Sequence, residues 1–300
     1  MADERVTIPA LLEMKRSAKK IAMITAYDYP TARIAESAGA DVVLVGDSAG
    51  NVVMGYESTI PVTMAEMLHH TKAVARGVKR ALLVADMPFM SFQVSAEETI
   101  RNAGTFIKEG GAAAVKIEGA GPARCATVRA LCEAGISVMG HIGLTPQSIH
   151  QLGELKVQGS AADDAVRLVE AAEALASAGV FCIVVEVVPR EVAAVVTSRV
   201  KVPVIGIGAG PDCDGQVLVF HDLCGLNGPG AAKPKHVKEY VNGYDVLETA
   251  VKSYIEEVRS KAFPTDANSF HLKADDRRAF SADVATATMA KSALEQRGPK

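Results

Sequence analysis

The sequence predicts an α/β protein, a single (β/α)8 TIM barrel. One unit recurs along the chain: an amphipathic helical stretch, a small glycine-containing stop, a short β-branched run, then a polar residue. The runs have strand length and are apolar throughout, as parallel strands buried on both faces are. Together they number about eight, with no dinucleotide fingerprint among them, which favours a closed barrel over an open doubly wound sheet.

The elements follow in order. Pro9–Lys19 predicts a short helix that closes the barrel bottom, and Ile21–Thr25 the first strand. ARIAESAGA then leads into DVVLVGDS, with its strand at Val42–Val45. Thr63 can cap a helix over Met64–Arg76, ahead of a strand at Ala81–Ala85 that ends at Asp86. Ser95-Ala-Glu-Glu98 has the spacing of a capping box before the helix Thr99–Glu109. AAVKIE, ISVMGH and VFCIVVE supply the next three strands, and Pro189 starts the helix Arg190–Ser198. Pro203–Ile207 and Val217–Phe220 complete the set, followed by a long helix from about His236 to Arg259. Gly39, Gly110, Gly135 and Gly179 stand where helices end in the left-handed conformation. Residues 1–272 are expected to form one catalytic barrel, and 273–300, small, polar and charged, a mobile tail.

Composition narrows the function class. Hydrophobic residues make up 49% of the 300, enough for a large core, and the net charge of −3 without a basic run argues against a polyanion binder. The apolar runs are too short to span a membrane, and MADERVTIPA lacks a basic-then-apolar signal segment. The five cysteines form no Cys-x-x-Cys pair, which is expected of reduced thiols in the cytoplasm.

Active sites of this fold lie at the C-terminal strand ends. Those ends carry Tyr27-Asp28, Asp47-Ser48, Asp86, Lys116 with Glu118, His141, Glu186 and His221-Asp222. Taken singly, Asp47 reads as well as a helix cap and Glu186 as the partner of a cation. Taken together they converge on one mouth, where so many charges are costly unless a metal or substrate pairs them. Asp47 and Asp86 lie on adjacent strands, and a hard dication such as Mg2+ relieves their repulsion. Such an ion can chelate a 2-oxo acid and stabilise an enolate. Lys116 and Glu118 point to the same side of their strand, so Lys116 can stabilise an oxyanion and Glu118 can orient it or hold a metal-bound water. On spacing alone His141 is equally a substrate contact or a satisfied core histidine. Glu186 can act as a base. His69, His70 and His150 fall on helices and read as surface or packing residues. Gly206–Gly210 has the look of a phosphate-cradling loop, or equally of a tight turn.

The segments TAYDYPTARIAESAGADVVLVGDSAGNVVMGYESTIPVT, VADMPFMSFQ, VKIEGA, VMGHIGLTPQSIHQLGELKVQG and IGIGAGPDCDGQVLVFHD resemble the ketopantoate hydroxymethyltransferase family, from about Thr7 to Phe270. The resemblance implies a barrel of the phosphoenolpyruvate/pyruvate type. It implies transfer of a hydroxymethyl group from 5,10-methylenetetrahydrofolate, the co-substrate, to 3-methyl-2-oxobutanoate through a Mg-stabilised enolate. The product is 2-dehydropantoate, on the route to pantothenate and coenzyme A. Carried over motif by motif, Asp47, Asp86 and Glu118 belong to a Mg2+ site; Asp47, Ser48, Asp86, Lys116 and His141 contact the oxo acid; and Glu186 is the proton acceptor. A homodecamer in the cytoplasm is implied in the same way, with neither nucleic acid nor membrane as partner. A lyase of related 2-oxo acids, or a barrel serving only as an assembly module, are the other readings of the strand ends. The chain departs mildly from the family pattern, with Ala120 where a second glycine is usual and Val187 where cysteine is usual.

Overall fold

Eight strands close in chain order into one parallel barrel: β1 (Ile21–Thr25), β2 (Val42–Val45), β3 (Leu82–Asp86), β4 (Ala114–Glu118), β5 (Val138–Gly143), β6 (Cys182–Glu186), β7 (Val204–Ile207) and β8 (Gly215–Leu218), with β8 returning to β1. The computed structural model describes residues 4–231 and 233–295. The chain divides into two compact units, one through Tyr244 and one from Asp245.

Strand alternation sorts the apolar side chains into two cores. Val43, Val45, Leu83, Ala85 and Val115 pack outward with the helices, while Val42, Leu44, Leu82, Val84 and Ala114 fill the barrel. Every residue of β2, β3 and β4 is buried, as a sheet covered on both faces requires. The helix Ile8–Arg16 is capped by the Thr7 hydroxyl and sends Leu11 and Met14 into the inner core, as expected of a barrel floor. Its Lys15 ammonium reaches the Asp214 carboxylate at 2.6 Å and the Thr197 carbonyl at 2.9 Å.

The outer helices are Tyr29–Ser37, Met64–Gly77, Ala96–Lys108, Pro122–Glu133, Ala162–Ala178 and Arg190–Arg199. The reciprocal capping box forms at Thr63 with Glu66, whereas Ser95 only accepts from the Glu98 amide. At the double glycine the left-handed residue is Gly111, not Gly110.

Two expectations shift at the far end of the barrel. The last strand starts at Gly215 and stops at Leu218, and Phe220–Leu223 is a short helix. Gly215 reads poorly as strand in sequence, yet a Cβ there would collide with the Ile21 carbonyl, so the tight β1–β8 approach needs it. No helix joins β7 to β8, so the glycine-rich loop runs directly into the next strand and has no helix N-terminus behind it. The long helix begins at Gly243, not near His236. Ahead of it, the amides of Tyr240 and Gly243 donate to the carbonyls of Leu223 and Cys224 instead of entering helical bonds.

In the second unit the helix continues to Ser260 and exposes Val246, Leu247, Val251, Tyr254 and Val258. The segment expected as a tail contains the helix Ala274–Glu295. No helix among the described residues is long and apolar enough to cross a membrane.

Candidate active site

The inner rows of the barrel are apolar below and ionic above. Above Leu82 and Val84 stands Asp86; above Ala114 stand Lys116 and Glu118; above Met139 stands His141; above Cys182 and Val184 stands Glu186. Asp47 and Ser48 follow β2 in a turn. All seven line one cavity of about 440 Å³. Asp47, Asp86, Lys116, Glu118 and His141 are buried, and the Glu186 side chain retains 19% exposure, the most open of the ionisable groups.

A continuous set of contacts runs round the mouth. The Asp47 amide donates to Asp86 Oδ2 at 3.2 Å, and Lys116 Nζ pairs with the same oxygen at 2.9 Å. Lys116 Nζ also lies 3.4 Å from His141 Nδ1. That ring faces Glu118 Oε1 at 3.4 Å through Nδ1 and Glu186 Oε2 at 3.1 Å through Nε2. Gln147, in the turn Pro146–Ser148 after β5, donates its amide N–H to Glu118 Oε2 at 3.1 Å. Its Nε2 donates to Asp47 Oδ2 and to the Met87 carbonyl, each at 2.9 Å.

Carboxylates outnumber cations here, and the excess negative charge sets the proton affinities. Burial, then Asp47 and Glu118, push the Asp86 carboxyl well above the carboxylate range although Lys116 opposes them. Burial pulls the Lys116 ammonium down, but Asp86, Glu118 and Asp47 outweigh it and leave it raised. Burial and Lys116 likewise depress His141, while Glu118 and Glu186 bring it up to about 9. The ring is therefore an imidazolium at neutral pH that faces a carboxylate through each nitrogen, and its approach to Lys116 is not a hydrogen bond.

Asp86 Oδ1 and Glu118 Oε1 are buried without a hydrogen-bond donor. Orphaned acceptor oxygens in a net-negative cluster fit a hard cation, and an all-carboxylate donor set fits Mg2+. Among the described residues no three His, Cys, Asp or Glu side chains form a metal cluster by themselves. Two carboxylates with positions left for water and substrate is the arrangement Mg2+ commonly takes.

The other strand-end residues divide. Asp28 is the cap of the helix Tyr29–Ser37, closing a box with Thr31. Asp222 lines the cavity, and His221 stands beside it with its ring 5.4 Å from that of Tyr27. Sequence reasoning missed three features. The Tyr27 hydroxyl bonds Ser48 Oγ at 2.8 Å, and the Tyr27 carbonyl meets His70 Nδ1 at 2.6 Å. Gln147 ties Asp47 to Glu118. Val187, directly after Glu186, adopts φ +49°, an outlier for a β-branched residue. Tyr27 stood next to a strand end and was within reach of sequence reasoning; nothing in the pattern marks the other two.

The model of the family described as ketopantoate hydroxymethyltransferase matches residues 5–266. A 3-methyl-2-oxobutanoate hydroxymethyltransferase of Carboxydothermus hydrogenoformans is 55% identical over 90% of this chain and 96% of its own. One of Acetivibrio thermocellus is 52% identical over 91% of this chain and 95% of its own. Among solved structures, a phosphonopyruvate hydrolase in complex with oxalate and Mg2+ superposes with TM-score 0.57 at 17% identity, over 98% of this chain and 99% of that one. A 2,3-dimethylmalate lyase of the PEP mutase/isocitrate lyase superfamily gives 0.54 at 15% identity, over 92% and 98%. At such identities the structural likeness bears on the fold alone.

Proposed function

The chain belongs to the ketopantoate hydroxymethyltransferase family, and from that membership we infer that it transfers a hydroxymethyl group from 5,10-methylenetetrahydrofolate to 3-methyl-2-oxobutanoate. It is an enzyme of pantothenate synthesis, and the product is 2-dehydropantoate. The observation that carries the reading to particular residues is the convergence of Asp47, Asp86, Lys116, Glu118, His141 and Glu186 on one cavity.

Asp47 and Asp86, with Glu118 beside them, would hold Mg2+, which when bound supplies a Lewis acid for the oxygens of the 2-oxo acid. The remaining steps belong to the chain's own groups. Ser48, held by Tyr27, and the Lys116 ammonium bind the oxo acid, and burial keeps water from competing for it. Glu186 accepts the C3 proton. His141 Nε2 lies against its Oε2, which orients the carboxylate and leaves Oε1 for that proton. Negative charge passes to the C2 oxygen as the enolate forms, and Lys116 offsets it. Water adds to the methylene carbon of the folate's iminium form, and the bond from that carbon to the folate nitrogen breaks as the nitrogen takes up the hydroxyl proton. C3 of the enolate bonds to the formaldehyde released, whose oxygen takes the proton held by Glu186 and becomes the product's hydroxyl as tetrahydrofolate leaves.

We place the protein in the cytoplasm, in keeping with its five free cysteines. A homo-oligomer, a decamer by family resemblance, is supported by the uncovered apolar residues of Gly243–Ser260. The catalytic barrel is taken to span 1–272. The deciding experiment is turnover of 3-methyl-2-oxobutanoate with methylenetetrahydrofolate and Mg2+, with and without a chelator. Activity should need all three and stop on chelation; turnover without folate would point to a lyase instead.

A further inference from the structure

We propose that Gln147 is a positioning residue, holding the Asp47 and Glu118 carboxylates in the arrangement that receives the divalent cation. The proposal rests on the Mg2+ reading above.

The geometry is that of a clamp across three strands. Gln147 is 4% exposed and sits in the short turn that follows β5. Its main-chain N–H goes to Glu118 at the end of β4, one side-chain hydrogen to Asp47 beyond β2, and the other to the Met87 carbonyl beyond β3. All its donors are therefore spent on residues distant in sequence, two of them carboxylates of the site. The orientation of the amide is fixed by the same contacts. Reversed, it would set an oxygen against a carboxylate and a carbonyl, with no hydrogen between them.

A neutral donor suits this position for an electrostatic reason. Three carboxylates in a buried cavity must be kept together without cancelling the negative charge that attracts a cation. Lysine or arginine would orient them but neutralise the site; an amide orients them and leaves the charge intact. The Gln147 Oε1 atom is buried with no donor.

Calorimetric titration of Mg2+ into the full-length protein, with saturating 3-methyl-2-oxobutanoate, tests this in wild type, Gln147→Met and Gln147→Glu. Met keeps the length and loses the two side-chain donors, the main-chain N–H to Glu118 remaining; Glu keeps the shape and opposes Asp47. Both variants should bind Mg2+ about 10–100-fold more weakly, as loss of a group that orients metal ligands typically does. In turnover, the Mg2+ concentration for half-maximal rate should rise by a similar factor, while kcat recovers at saturating Mg2+. Wild-type Mg2+ affinity in either folded variant overturns the proposal, whatever its melting temperature, because a merely structural glutamine would change stability and leave affinity alone. A wild-type chain that takes up no Mg2+ overturns the metal reading itself, which separates the two failures.

Discussion

Glu186 and His141 show how one contact serves two ends. The imidazolium lies against one carboxylate oxygen of Glu186, the proposed base, and that carboxylate with Glu118 holds the proton on the ring. Removing the base should remove the first chemical step. Glu186→Gln is expected to slow exchange of the substrate C3 proton with deuterium oxide by about 10²–10⁴-fold, measured by NMR without folate; exchange at the wild-type rate would move the base elsewhere. The ring predicts a pH dependence in Mg2+-free protein. Its folded value of about 9 exceeds the ordinary 6.5, so its contribution to stability is complete below pH 6.5 and fades as pH rises through about 9. Melts from about pH 6 to about pH 10 should show a steeper decline in wild type than in His141→Gln. Sequence exposed these residues unequally. Asp86, Lys116 and Glu118 were legible because period-two spacing carries them up the inner rows. His141 stayed ambiguous because its role depends on Glu186 across the β5–β6 register, which only the closed barrel supplies. Gln147 lay beyond reach, since its partners come from strands it does not neighbour in sequence.

At the scale of elements, the ends of β5 and β6 hold the base by two opposite backbone devices. Gly143 has φ +93°, and a Cβ there would collide with the Glu186 carbonyl oxygen. Val187 carries a branched side chain at φ +49°, pinned by its amide to the Ile207 carbonyl at 2.8 Å and by its carbonyl to the Gln158 amide at 2.9 Å. Such a conformation costs of order 1–3 kcal/mol. The two substitutions should therefore have opposite signs. Val187→Gly is expected to raise the melting temperature by about 2–4 °C for each kcal/mol relieved, and Gly143→Ala to lower both stability and turnover. A Val187→Gly protein that melts below wild type would show that the valine is not strained there. Neither device is written in periodicity. Sequence placed most strands and helices within a few residues, but it misjudged Gly215, a strand residue chosen for closeness, and the stretch before Gly243, whose helical spacing loses to bonds with Leu223 and Cys224.

For the molecule as a whole, every site residue lies in the first unit, and the family match stops at residue 266, before the helix Ala274–Glu295. Deleting 273–300 should leave kcat and KM for the oxo acid unchanged in steady-state assays; a loss of turnover would give that helix a part in the reaction. The barrel was legible from its repeats because most of its strands are buried on both faces and each stop is local. The division at Tyr244 was not, because it depends on which helices find covering partners. The layered interior has a further consequence. Side chains on the lower rungs, such as Leu82, Val84 and Met139, belong to the apolar inner core, while Asp86 and His141 sit one rung higher on the same strands. Inherited changes should therefore sort by height: low ones altering how much protein accumulates, high ones altering what each molecule does. A lineage could then exchange one reaction for another by editing the top rung, while the rungs beneath preserve the ability to fold.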